Sequence, residues 1–224
     1  MKKYPLIIFS ILFMLLACEM KNDKSTPETP KVQHKKTSIT YKGDTSLNSR
    51  VKNYLQLYKE LKFDTLMDYV YPGLFKLAPR EQLAGFFKSF VATPGVDVKM
   101  DTMKLVSIDP VSQFANGEVA KFDYNMQMRL KITPQNGQQS IANNRNVVIN
   151  TLKKSLGTND VTFNEETGYF QVRAVKSALA IKDDSSGHEW KIIGLENNEQ
   201  LKSVLPVDVA QKYYPVKGPV GQSR

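Results

Sequence analysis

The chain of 224 residues has one cysteine, Cys18, and two histidines, His34 and His188. A single thiol excludes any disulfide within the chain, so stability must come from core packing. After residue 18 there is one histidine in a polar stretch, one near an apparent turn, and no cysteine. That leaves too few soft ligands for a zinc site. HExxH, GxSxG, Walker and GxGxxG motifs are all missing, so no cofactor is expected. No apolar run reaches the roughly 20 residues a helix needs to cross a bilayer. Blocks of like charge are also missing, although Lys and Arg number 31 against 22 Asp and Glu, a formal net charge of +9. Interspersed charge of that kind reads as a solvated surface and argues against a nucleic-acid partner. A mild attraction to anionic lipid or polysaccharide stays open.

What is present is ordinary for a folded domain: 41% hydrophobic and 24% charged residues. The first 18 residues are not ordinary. Lys2 and Lys3 precede "YPLIIFSILFMLLA", an almost wholly apolar run from Tyr4 to Ala17. A basic start, a short apolar run and a small residue at its end form a secretory signal. Cys18 follows directly. It has four readings: core residue, nucleophile, metal ligand or anchor. The polar stretch "EMKNDKSTPETPKVQHKKTS" behind it cannot build a core, and neither histidine is placed to activate it.

Leu15-Leu16-Ala17-Cys18 resembles the lipobox of bacterial lipoproteins, with an aliphatic residue at −3, a small one at −1 and then the cysteine. The resemblance implies a diacylglycerol thioether on Cys18, cleavage after Ala17 by signal peptidase II, and acylation of the new amino group. Two or three chains anchor stably where one is marginal, at about 0.8 kcal/mol per buried CH₂. Glu19 stands where an aspartate would favour the inner membrane in enterobacteria. The family rule therefore points to the outer membrane of the cell envelope, while "KND" at Lys21–Asp23 is too loose to set periplasmic or surface orientation.

The expected organisation is a signal peptide over 1–17, a lipidated cysteine and disordered tether over 18–44, one domain over 45–215 and a tail over 216–224. The tether is rich in Lys, Thr, Ser and Pro, and as a flexible coil it spans about 28 Å.

Within the domain, Asp44-Thr45-Ser46 offers N-cap oxygens. Leu47, Val51, Tyr54, Leu55, Tyr58 and Leu61 then fall on one helical stripe. A short helix is expected over Asp64–Val70, stopped by Pro72-Gly73. Pro79 opens a third, carrying Leu83, Phe86, Phe87, Phe90 and Val91 on one face. From Val96 the period changes to that of strands. The cleanest is "EVAKFDYNMQMRLKIT", where Phe122, Tyr124, Met126, Met128, Leu130 and Ile132 alternate with polar residues. A helix near 143–156 ends at Gly157 as C′. Three strands follow, with turns at Glu165–Gly168 and Asp183–Gly187, and then helices over Glu199–Leu205 and Val207–Tyr213.

Helices first and hairpin-connected strands after them predict an α+β fold with an antiparallel sheet. The stripe helix, "FDTLMDYVYPGLF", "PREQLAGFF", the long hairpin and the closing "EWKIIGLE" are similar to nuclear transport factor 2-like domains. That family includes ketosteroid isomerase-like enzymes and non-catalytic binding modules. The resemblance implies a curved, cone-like sheet packed on N-terminal helices, to which the 143–156 helix is extra. Tyr54, Tyr58, Phe122, Tyr124, Met126 and Trp190 would face inward as core, or line a pocket where one remains.

Two functions follow as expectations. One is a membrane-anchored envelope lipoprotein whose non-catalytic domain binds a protein partner or a small apolar ligand. The alternative is a tethered enzyme doing acid/base chemistry on a small molecule. For the latter, Asp64 and Asp68 sit one helical turn apart, but no aspartate is identifiable as a tyrosine's partner. "DDSSG" at Asp183–Gly187 reads as a polar hairpin turn, not a calcium loop. His188 reads as facing solvent.

Overall fold

Alternation along one long strand organises the domain. In the computed structural model, which describes residues 45–133, 141–195 and 199–214, that strand is β3, Gly117–Ile132. On one side β3 pairs with β1, Val96–Ile108, and on the other with β5, Tyr169–Asp183. β4, Asp160–Asn164, extends the sheet beyond β5 in the order β1-β3-β5-β4. The short strands β2, Ser112–Phe114, and β6, Lys191–Gly194, pair with β3 and β5 respectively. All named pairings are antiparallel. The fold is α+β, with helices ahead of a curved six-stranded sheet. Two register shifts in β1, between Met100 and Thr102 and between Leu105 and Ser107, bend it locally.

α1, Thr45–Lys59, buries Leu47, Val51, Tyr54 and Leu55 of the expected stripe. It ends in a Schellman arrangement. Leu61 takes φ 56°, its N–H donates to Tyr58 O, and Lys62 N–H donates to Leu57 O. The expected second helix is shorter than its pattern: α2 covers Phe63–Leu66 only. The chain then leaves helical geometry to run beside β6. Tyr71 N–H donates to Ile192 O, and Ile192 N–H donates to Tyr69 O. A 3-10 turn, Pro72–Lys76, leads to α3, Arg80–Val91, with Pro79 as its N-cap. α4, Ile141–Leu156, matches the helix expected near 143–156, and Gly157 follows at φ 61°. α5, Glu199–Ser203, and α6, Val207–Tyr213, close the described chain.

The sheet has two layers of cover. On its inner face, β3 and β5 bury Phe122, Tyr124, Met126, Leu130, Phe170 and Val172. α1 and α3 pack near β1, and α4 packs on β4 and β5. On the outer face most side chains are polar, as the alternation requires. The exception is one end, where Val119, Leu179, Ile181 and Ile193 join Tyr71, Val204, Leu205, Val209 and Ala210 in a second core. So β5 is buried on both faces from Ala178 to Ile181. Each fully buried Leu, Ile or Val side chain contributes about 1.5–3 kcal/mol. The C-terminal helices are therefore structural, not appended.

Candidate functional site

The register of the sheet lays out the inner face row by row. Leu105, Tyr124 and Lys176 lie side by side across β1, β3 and β5. The next row is Met103, Met126 and Ala174, and the next Met100, Met128 and Val172. Of the expected pocket residues, Phe122, Tyr124, Met126, Tyr54 and Trp190 are buried, and Tyr58 is half-buried. The Tyr54 and Tyr58 rings lie 6.1 Å apart, and those of Phe122 and Tyr124 lie 6.0 Å apart. Trp190 sits at the opposite end of the face from the methionines. Lys182 Nζ lies 5.7 Å from its ring centroid, and Arg50 Nε donates to its carbonyl at 3.1 Å.

Lys176 is the polar residue in that setting. It is half-buried, flanked along β5 by Ala174 and Ala178 on the same face, and its Nζ donates to Leu156 O at 3.3 Å. A cation at the C-terminus of α4 complements the helix dipole. α4 has no acidic residue at all; its charges are Arg145, Lys153 and Lys154. Arg145 pairs with Glu165 at 2.6 Å and lies 4.4 Å from the Phe163 ring centroid.

The buried acid lies elsewhere. Asp183, at the end of β5, is 5% exposed. Its carboxylate accepts from Tyr71 Oη at 2.8 Å, from Ser185 Oγ at 2.7 Å and from Ser186 N–H at 2.9 Å. Ser186 Oγ in turn accepts from Asp183 N–H at 2.8 Å, completing a capping box over the 3-10 turn Asp184–Ser186. Burial pushes the Tyr71 phenol up to about 12, with the Asp183 carboxylate adding to the effect. Sequence reasoning missed this pair because "DDSSG" looks like any polar turn and Tyr71 is 112 residues away. An aspartate beside a tyrosine is the arrangement an acid/base reading asks for. Here, however, three donors already hold the carboxylate inside the outer-face core. A general base must reach the proton it abstracts. This pair locks a turn.

The other acid/base candidates are spoken for as well. Asp64 accepts from Lys88 Nζ at 2.9 and 2.8 Å, and Asp68 pairs with Arg80 at 2.5 Å. His188 is exposed and 3.3 Å from Asp184, as a solvent-facing residue should be. Glu189 is held below the usual carboxylate range by Lys191, with Arg50 adding to the effect. Among the described residues no cluster of three or more His, Cys, Asp or Glu could hold a metal ion. No described helix is long and apolar enough to cross a membrane. Leu15, Leu16, Ala17 and Cys18 lie outside the described residues.

No family model, no curated protein and no solved structure matches the chain.

Proposed function

We propose that the protein is a lipid-anchored component of a bacterial cell envelope whose folded domain binds a partner and does no chemistry. The observation that carries the location is Leu15-Leu16-Ala17-Cys18 at the end of a short apolar run behind Lys2 and Lys3. Acyl chains on Cys18 would hold the membrane end, and the polar stretch to residue 44 would act as the tether. Glu19 after the cysteine favours the outer membrane.

Binding in place of catalysis is favoured by how the acids are used. Asp183 is saturated by three donors, and Asp64 and Asp68 face Lys88 and Arg80. The inner face offers tyrosines and methionines, which suits an apolar ligand or a protein segment. Helices ahead of a curved sheet also suit the proposed kinship with nuclear transport factor 2-like binding modules.

Two measurements test the reading. Alkynyl-palmitate fed to producing cells should label the wild-type chain and not Cys18→Ala; labelling of that variant would refute the anchor. Cross-linking in intact envelopes should then capture a specific partner of the anchored chain. Turnover of a small molecule that is lost on an inner-face substitution would overturn the non-catalytic reading.

A further inference from the structure

The outer face of the sheet is open along the middle of β1, β3 and β5. One row across these strands holds Lys104, Asn125 and Val175. The next two rows centre on Gln127 and Arg129. Arg173 flanks the first of them, and Lys99 and Gln171 flank the second. Lys99, Lys104, Asn125, Gln127 and Arg173 are exposed, and Val175 is 67% exposed. The C-terminal helices cover only one end of this face, at Leu179 and Ile181. With rows about 7 Å apart and strands about 4.8 Å apart, the three rows make a field of about 14 Å by 10 Å.

These rows carry four cations, three side-chain amides and no carboxylate. The acids stand around them. Asp101, in the first β1 bulge, accepts from Arg129 at 2.7 and 2.6 Å. Asp97 lies 3.5 Å from Lys99, and Asp160 lies 3.6 Å from Arg173. Ion pairs on an open face contribute little, so these cations can exchange partners. Apolar matter is scarce: Val175 is the one large aliphatic side chain in the three rows. Tyr169, at the margin, is engaged already. Its hydroxyl donates to Asp97, and Lys99 and Lys131 lie 5.0 and 5.5 Å from its ring centroid.

We infer that this outer face binds an acidic polysaccharide, with uronate carboxylates on the cations and sugar hydroxyls on the amides. A protein interface is anchored at its centre by aromatic or other large side chains in pockets. A bilayer surface is held by apolar side chains that enter it. One valine supplies neither. A polyhydroxylated, negatively charged chain matches what the field does offer. Each side-chain amide brings two donors and a carbonyl acceptor, so it can meet a hydroxyl in either sense. Each arginine fork can take a carboxylate with two parallel bonds. The surface is separate from the inner face and goes beyond the partner binding proposed above; it asks nothing of the anchor.

The test places the full chain, solubilised in a detergent without sugar head groups, on immobilised polygalacturonate. Binding is expected there and not on neutral dextran. Lys104→Gln combined with Arg173→Gln should weaken it about tenfold. Asn125→Ala, which leaves the charge unchanged, should weaken it about threefold. Lys52→Gln combined with Lys76→Gln removes the same charge from exposed positions elsewhere and should bind as wild type does. All variants must keep the wild-type thermal midpoint; where the first pair does not, Lys104→Gln alone takes its place. Equal weakening by the two pairs, or equal binding to immobilised poly-glutamate, would show that charge alone is read and would overturn the inference. So would a wild-type chain that passes polygalacturonate unretained. None of these results touches the labelling of Cys18 or the capture of a protein partner, so the proposed function is judged separately.

Discussion

Tyr71 reaches Asp183 through a 2.8 Å hydrogen bond that ties the segment after α2 to the end of β5. Removing the hydroxyl in Tyr71→Phe takes one of three donors from a buried carboxylate. That should cost roughly 1–3 kcal/mol in urea denaturation. The same pair predicts a pH dependence. The folded-state phenol titrates near 12, above its ordinary 10.0. The stability it contributes is therefore complete below about pH 10 and is lost as pH rises from there towards 12. The unfolded chain gives up the proton first. Denaturation between about pH 9 and 11 should show this fall in the wild type and a shallower one in Tyr71→Phe. Equal slopes would remove Tyr71 from the account. Beside it, Gly73 has no room for a side chain. A Cβ there would lie 2.7 Å from Tyr71 Cε1 and closer still to Val204 O. Gly73→Ala should lower stability by about 1–3 kcal/mol through forced displacement, and a wild-type denaturation midpoint would contradict the packing described.

At the scale of elements, α4 is the least firmly held long helix. Among its described side chains only Leu152 is fully buried, and Val147 is 63% exposed. Leu152→Ala should cost about 2–4 kcal/mol. The loss should be local: amide exchange across α4 should accelerate while β3 and β5 stay protected. Uniform acceleration would show that α4 is part of the global core. Elements of this kind were largely legible in the sequence. The polar-apolar alternation of β3 follows from a strand with one wet face, and α1, α3 and α4 follow from helical spacing. The shortfall in α2 was not legible, because the competing hydrogen bonds come from Ile192, far along the chain. Nor was the role of α5 and α6. Its trace is the unbroken apolar run "ALAI" at Ala178–Ile181, the mark of a strand buried on both sides. The inner-face residues were visible through their period. The Tyr71–Asp183 pair was not, since no local pattern marks it.

At the scale of the whole molecule, the outer-face core makes the C-terminal helices indispensable. A chain ended after Glu196 would uncover Val119, Leu179, Ile181 and Ile193, which now pack against Val204, Leu205 and Val209. Such a chain should precipitate or bind the dye ANS strongly, whereas a soluble chain with native exchange protection would disprove the second layer. The sheet also has a vulnerable margin, because β1 pairs only with β3 among the named strands. The irregularities at Met100–Thr102 and Leu105–Ser107 interrupt the ladder of that strand. An even row of N–H and C=O groups would template a neighbour's strand. On the proposed acyl anchor, chains crowded into a plane would meet one another far more often than chains free in solution. In that proposed setting the two kinks in β1 would act as a safeguard against fibril growth, letting the proteins stand close together without joining edge to edge.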